Sequence, residues 1–146
     1  MWGVAAAVSK VGTFRWILAI GLMAVAAGPA ATQGGAGLAP LKKLQPGLYK
    51  LRPLDDGGRA TRSICVANPE ALVQLEHRGL PCSQLVVGRA VDGVTVHYTC
   101  PAGGYGRTAI RVETARVANL DTQGISNNRP FAYRAEARRT GACPRR

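Results

Sequence analysis

The chain is short of the residues that active sites and metal centres are made from. It has only two histidines, His77 and His97, and 8 acidic residues against 19 basic ones. A hydrolase triad needs a nucleophile, a base and an orienting acid in mutual reach. The sequence contains no Gly-x-Ser-x-Gly elbow and no such constellation. No His-x-His pair, no His-x-x-x-His pair and no acidic cluster marks a metal site, and Asp55-Asp56, followed by glycines, reads as a turn. No two cysteines have the Cys-x-x-Cys spacing of a zinc knuckle or a thioredoxin-like site. Strands and helices do not alternate as a parallel sheet requires. The expectation is a protein with no catalytic residue, no metal ligand and no cofactor.

Long apolar runs are also missing. Trp16–Ala27 is apolar throughout, but a transmembrane helix needs about 20 such residues. The run follows Lys10 and Arg15 and precedes Gly28-Pro29-Ala30-Ala31. A basic start, a short apolar core and a small-residue exit define a secretory signal peptide. Residues 1–30 are expected to be removed, with cleavage after Ala27 or Ala30, leaving no transmembrane segment. No cysteine lies there to carry a lipid anchor. Residues 31–44, rich in Gly, Ala and Pro and without periodicity, read as a flexible linker. Residues 45–146 read as one domain.

What the chain does have is an even set of cysteines and an excess of positive charge. Cys65, Cys82, Cys100 and Cys143 in an exported chain favour two disulfides. Three pairings are possible. Residues 82 and 100 mirror each other about Val91, which favours Cys82–Cys100 and leaves Cys65–Cys143. The net charge of the whole chain is +11. Without Lys10 and Arg15 it has 17 basic and 8 acidic residues, about +9. Such a field attracts anions.

The Cys82–Cys100 stretch organises the rest. Val94, Val96, Tyr98 and Cys100 alternate with Thr95, His97 and Thr99, the pattern of a half-buried strand. The nearly all-apolar partner arm leaves its inward face open. A turn at Asp92-Gly93 would shift the register by about three residues relative to the bridge, so a bulge or a longer loop is expected. Leu48–Arg52 and Arg59–Val66 read as strands around the Asp55–Gly58 turn, and Pro53 confines the first to an edge or an end. Asn68–Gly79 reads as the one helix, about three turns long, with Asn68 as N-cap, Pro69 first and Gly79 at the C-terminal cap. His77 is expected at its end as a dipole partner. Tyr105–Val117 and Phe131–Arg139 read as strands and Asn119–Pro130 as a polar loop between them. The fold class is therefore α+β, mainly β: an antiparallel meander of about six strands, one short helix and two disulfides.

Arg107 and Arg111 on one strand and Arg134 and Arg138 on another share the solvent face of the last two strands. They are the candidate anion-binding residues, with Glu113 and Glu136 as their competing partners. Gly103-Gly-Tyr-Gly106 lacks the strand-before, helix-after context of a phosphate loop.

The order Pro46-Gly47-Leu48-Tyr49, Cys65, Pro69-Glu70-Ala71-Leu72, Cys82, Tyr98-Thr99-Cys100-Pro101 and Gly141-Ala142-Cys143 resembles a domain-of-unknown-function family. That family comprises small exported proteins of Gram-negative bacteria that open Pro-Gly-Leu-Trp and carry four spaced cysteines. The resemblance covers Leu44–Cys143. Tyr49 stands where the family has Trp, and an aromatic near the last cysteine is absent. The resemblance implies a periplasmic or secreted location and assigns no activity. The expected function is a non-enzymatic binding module at the cell envelope. Its expected partners are anionic lipid or glycan, with no role for nucleic acid. The alternative is an inhibitor of a periplasmic or invading enzyme.

Overall fold

A computed structural model describes residues 37–55, 57–101 and 103–145. The stretch read as a signal peptide lies outside the described residues, as do 31–36. Two short 3-10 helices and seven strands follow in the order η1 (Ala39–Lys43), β1 (Gly47–Pro53), β2 (Arg62–Val66), η2 (Pro69–His77), β3 (Ser83–Arg89), β4 (Gly93–Cys100), β5 (Gly104–Thr114), β6 (Val117–Ser126) and β7 (Arg129–Gly141). All seven strands form one antiparallel sheet in the order β2-β1-β7-β6-β5-β4-β3. The mainly-β antiparallel reading holds, with seven strands rather than about six.

The extra strand is β6, where a polar loop was expected. Its Ala118, Leu120 and Thr122 point inward and are buried, while Asp121 and Gln123 are exposed. The alternation is of period two, but small and polar residues carry it, so hydropathy alone understates it. The buried threonines Thr122 and Thr108 bond each other at 2.8 Å, which satisfies both hydroxyls in the core. Asn127 and Asn128, with φ of 50° and 59°, close the β6–β7 hairpin. Positive φ at both central residues is what a tight hairpin turn of the right twist demands.

η1 corrects the flexible-linker reading for residues 37–44. Leu38, Leu41 and Leu44 are 4%, 0% and 3% exposed. A spacing of three is the 3-10 repeat, so all three leucines face one way, into the core. Lys43 Nζ donates to Val91 O at 2.7 Å and Gln45 N to Ala115 O at 2.9 Å, fixing the segment to two turns.

η2 is the expected helix in a tighter form. Asn68 caps it as predicted, its Oδ1 accepting from Glu70 N at 3.0 Å. Gln74, at φ −123° and ψ 49°, breaks the helix in its middle. β2 and β3, which η2 connects, are the two edges of the sheet. η2 therefore links one edge of the sheet to the other. Both edges bond to this segment: Arg78 Nη2 donates to Cys65 O at 3.1 Å, and Gln84 Nε2 to Gln74 Oε1 at 2.9 Å. The sheet thus curls around η2.

The hairpin closes as the cysteines require. Ser83 faces Thr99 and Val86 faces Val96, while Gly88 faces Thr95, so Val87 is bulged. The turn centres on Val91-Asp92, with Ala90 N bonded to Gly93 O at 2.9 Å. Turn placement and bulge together absorb the three-residue mismatch. Cys82–Cys100 and Cys65–Cys143 are both formed, with Cα separations of 4.1 and 5.4 Å. Val86 is the half-buried apolar side chain of β3 that packs on the core, and Leu85 and Val87 are exposed.

Candidate functional site

The inner face of the sheet is filled by η1, η2 and the inward residues of every strand. Its polar groups are satisfied locally. His77, expected as a helix-end dipole partner, is instead 2% exposed. Its Nε2 lies 2.9 Å from Gly103 O and its Nδ1 3.3 Å from the Tyr98 hydroxyl. Burial and then the charge of Glu76 push the Tyr98 hydroxyl up to about 12. Glu76 accepts from Tyr133 Oη at 2.7 Å and from Arg62 Nη2 at 2.9 Å, and Arg59 lies over the Tyr133 ring at 4.0 Å. Burial raises the Glu76 carboxyl, but Tyr133, Arg62 and Arg59 together outweigh it and hold the group below its ordinary range. Burial, followed by the bond to Glu76, raises Tyr133. Every member of this cluster is compensated by another. It ties η2 to β2 and β7, and its one carboxylate is shared between two guanidiniums, Arg59 and Arg62.

The outer face is different. Gly88, Thr95, Ala109, Asp121 and Arg134 lie opposite one another in a single row across β3 to β7. Three small residues at the β3 end of this row and longer ones around them leave a concavity of about 590 Å³. Arg111, Asn119, Asp121 and Arg134 line it, and Leu54 closes one end. Leu54 N donates to Arg134 O, and Asp55 Oδ2 accepts from Arg134 N at 2.6 Å, so the Arg134 backbone is pinned from both sides.

The four candidate arginines do not form one stripe, because β6 separates the two strands that carry them. Arg111 and Arg134 line the same concavity. Arg107 lines a neighbouring one of about 430 Å³ on the same face. Arg138 lines neither; it grips Glu136 through two bonds of 3.1 and 3.3 Å. That grip, followed by the charge of Arg138 and then Arg52, holds the Glu136 carboxyl below its ordinary range against some desolvation. Arg111 lies 3.4 Å from Glu113 and 3.7 Å from Asp92. Among the described residues, the guanidinium groups of Arg107 and Arg134 have no carboxylate within 4.0 Å, although the Asp55 carboxylate holds the Arg134 backbone. They are the two of the set without an ion pair among these residues, although Asp121 stands opposite Arg134 in the same concavity.

His97 is exposed on this outer face, as its alternation with threonines predicts. The two histidines therefore stand on opposite sides of the sheet. Among the described residues, no group of three or more His, Cys, Asp or Glu side chains is placed to hold a metal ion, and no helix is long and apolar enough to cross a membrane. The 590 Å³ concavity went unseen in the sequence because its floor comes from five strands and its defining property is small size. The only hint was the pairing of Ala109 and Gly88 with charged neighbours on the outward positions. No protein-family model matches the chain, and no curated protein and no solved structure matches it.

Proposed function

We propose that this chain is an exported, non-enzymatic binding module of the bacterial envelope, belonging to the periplasmic family it resembles. On this reading the outer concavity receives an anionic group, a phosphate or carboxylate borne on a lipid headgroup or a glycan. The observation that carries it is the Arg134 guanidinium, held on a pinned backbone beside a floor of small residues and making no ion pair among the described residues, although Asp121 stands opposite it. A guanidinium pairs with phosphate or carboxylate through two parallel bonds. The location is supported by four cysteines all held in disulfides, the state favoured in oxidising compartments.

The test is association with vesicles containing phosphatidylglycerol and with acidic oligosaccharides across a salt series. Screening shortens from about 30 Å at 0.01 M to about 3 Å at 1 M, so binding should weaken steadily as salt rises. Arg134→Ala should weaken it at every salt concentration. Absence of binding to either probe at low salt would overturn the reading.

The alternative, an inhibitor of a periplasmic or invading enzyme, is favoured by one observation. Leu85, Val87 and Val91 on and beside the edge strand β3 are 66%, 48% and 87% exposed. An unpaired edge with apolar side chains is a template for a protein partner. This reading requires a one-to-one protein complex in a pull-down from periplasmic extract, which Leu85→Lys would abolish and Arg134→Ala would leave intact.

A further inference from the structure

We infer that the second concavity of the outer face, around Tyr105, is a sugar-stacking subsite, and that the ligand is an acidic oligosaccharide running along β5. The inference rests on the anion-binding reading and selects glycan over lipid as the source of the anion.

Tyr105 is 57% exposed, although burying an aromatic ring is among the most favourable things a small domain can do with it. It stands on the outward side of β5, opposite Thr99 on one neighbour and Ile125 on the other. The adjoining row holds His97, Arg107 and Gln123 side by side on three neighbouring strands. These residues line the concavity of about 430 Å³. A pyranose presents an apolar face of C–H bonds and a rim of hydroxyls that both donate and accept. One flat aromatic beside a row of mixed donors and acceptors is the complement of that shape. Gln and neutral His supply both functions, and Arg supplies donors. A lipid surface would call for several exposed apolar side chains at one depth and for cations around them, whereas here one exposed ring stands beside a row of hydrogen-bonding side chains that holds a single cation, Arg107.

The backbone that carries the ring is also fixed. Gly104 and Gly106 flank Tyr105. A side chain on Gly104, at φ +112°, would strike the Ile125 carbonyl, and one on Gly106 would strike the Tyr98 hydroxyl. The backbone on both sides of Tyr105 is therefore packed directly on its neighbours. The glycines of 103–106, which the sequence leaves without a role, fix a platform. Pre-ordering of this kind lowers the entropy lost on binding.

The two concavities lie on one face. Tyr105 is four residues from Ala109 along β5, about 13 Å at the usual strand rise. Arg107, free of carboxylate partners among the described residues, stands between them. A ligand that stacks on Tyr105 and reaches Arg134 is longer than one sugar and carries at least one acidic group.

The experiment is calorimetric titration at low salt of the wild-type domain, Tyr105→Ala, Tyr105→Phe and Arg134→Ala. The probes are a short hyaluronan oligosaccharide, its carboxyl-reduced neutral form, and phosphatidylcholine–phosphatidylglycerol vesicles. Tyr105→Ala should weaken the acidic oligosaccharide about tenfold, the size of one aromatic contact, and Tyr105→Phe should retain it within about twofold. Arg134→Ala should erase the preference for the acidic over the neutral sugar. Equal affinity of Tyr105→Ala and wild type overturns the inference. So does binding to vesicles with none to the oligosaccharide, and that result leaves the anion-binding reading standing. If neither probe binds, both readings fall.

Discussion

The two faces of the sheet are made by alternate residues of the same seven strands, yet they answer to different constraints. On the inner face, Leu120 is 2% exposed and Val96 and Tyr49 are fully buried, and the polar groups among them are paired. On the outer face, the corresponding row contains Gly88, Thr95 and Ala109, small residues that open a hollow. Packing dictates the first set, because an unfilled volume in a core costs stability. Nothing about packing dictates the second. A face with a small-residue floor, two arginines without an ion pair among the described residues and one exposed tyrosine is the one to which the proposed function assigns ligand binding.

The comparison can be broken or sharpened in several ways, and the largest effect concerns the two disulfide bridges. By loop entropy, Cys65–Cys143, spanning 78 residues, contributes about 4.5 kcal/mol, and Cys82–Cys100, spanning 18, about 3 kcal/mol. Together these rival the whole stability of a small domain. Reduction should therefore unfold the protein near body temperature. Thermal melts with and without reductant that share one midpoint would refute this.

Next come neighbours on one strand. Leu120→Ala should cost about 2–5 kcal/mol, while Asp121→Ala, one residue along and facing solvent, should stay within about 0.5 kcal/mol. Urea titrations give both values. Similar losses would dissolve the distinction between the faces.

The buried hydroxyl pair offers a finer probe. Thr108→Val or Thr122→Val alone strands the other hydroxyl and should cost about 1–3 kcal/mol, whereas the double variant should recover most of the loss. An additive double variant would show that the pair does not act as a unit.

A smaller effect is expected from pH. The Glu76 carboxyl is held below its ordinary range in the folded protein. Its contribution is therefore complete above the unfolded value of about 4.3 and fades as pH falls toward the folded value. Glu76→Gln should flatten this part of the acid limb of a melting-temperature profile. An unchanged limb would remove Glu76 from the cluster's energetics.

The smallest effect on stability is expected at the candidate site. Arg134→Ala should leave the melting temperature within the range of a neutral surface change, about 0.5 kcal/mol, while weakening anion binding. A large loss of stability would recast Arg134 as structural.

Much of the inner face was legible in the sequence. Val94, Val96, Tyr98 and Cys100, and again Phe131, Tyr133, Ala135 and Ala137, alternate with polar residues and all point inward. Two inner elements escaped notice because their patterns were faint. The Leu38, Leu41, Leu44 triplet sits in a Gly- and Pro-rich stretch, and β6 alternates with alanine and threonine where a strand usually shows valine and isoleucine. The outer site was half legible. All four arginines are exposed, but β6 lies between their strands, and which of them are paired depends on Asp92 and Glu113 beside Arg111 and on Glu136 beside Arg138.

What the sequence by itself determined is local: the N-cap at Asn68, the inward alternation of the strands, and the pairing of Cys82 with Cys100 once a bulge is allowed. Each follows from spacing along the chain, which side-chain period and backbone sterics translate directly into direction. Only the tertiary structure decided which strands are neighbours. It drew η2 from edge to edge beneath the sheet, buried His77 against Tyr98, and aligned Gly88, Thr95 and Ala109 into the floor of one hollow. Those outcomes depend on residues far apart in the chain meeting across hydrogen-bonded strands, and no local pattern encodes such a meeting.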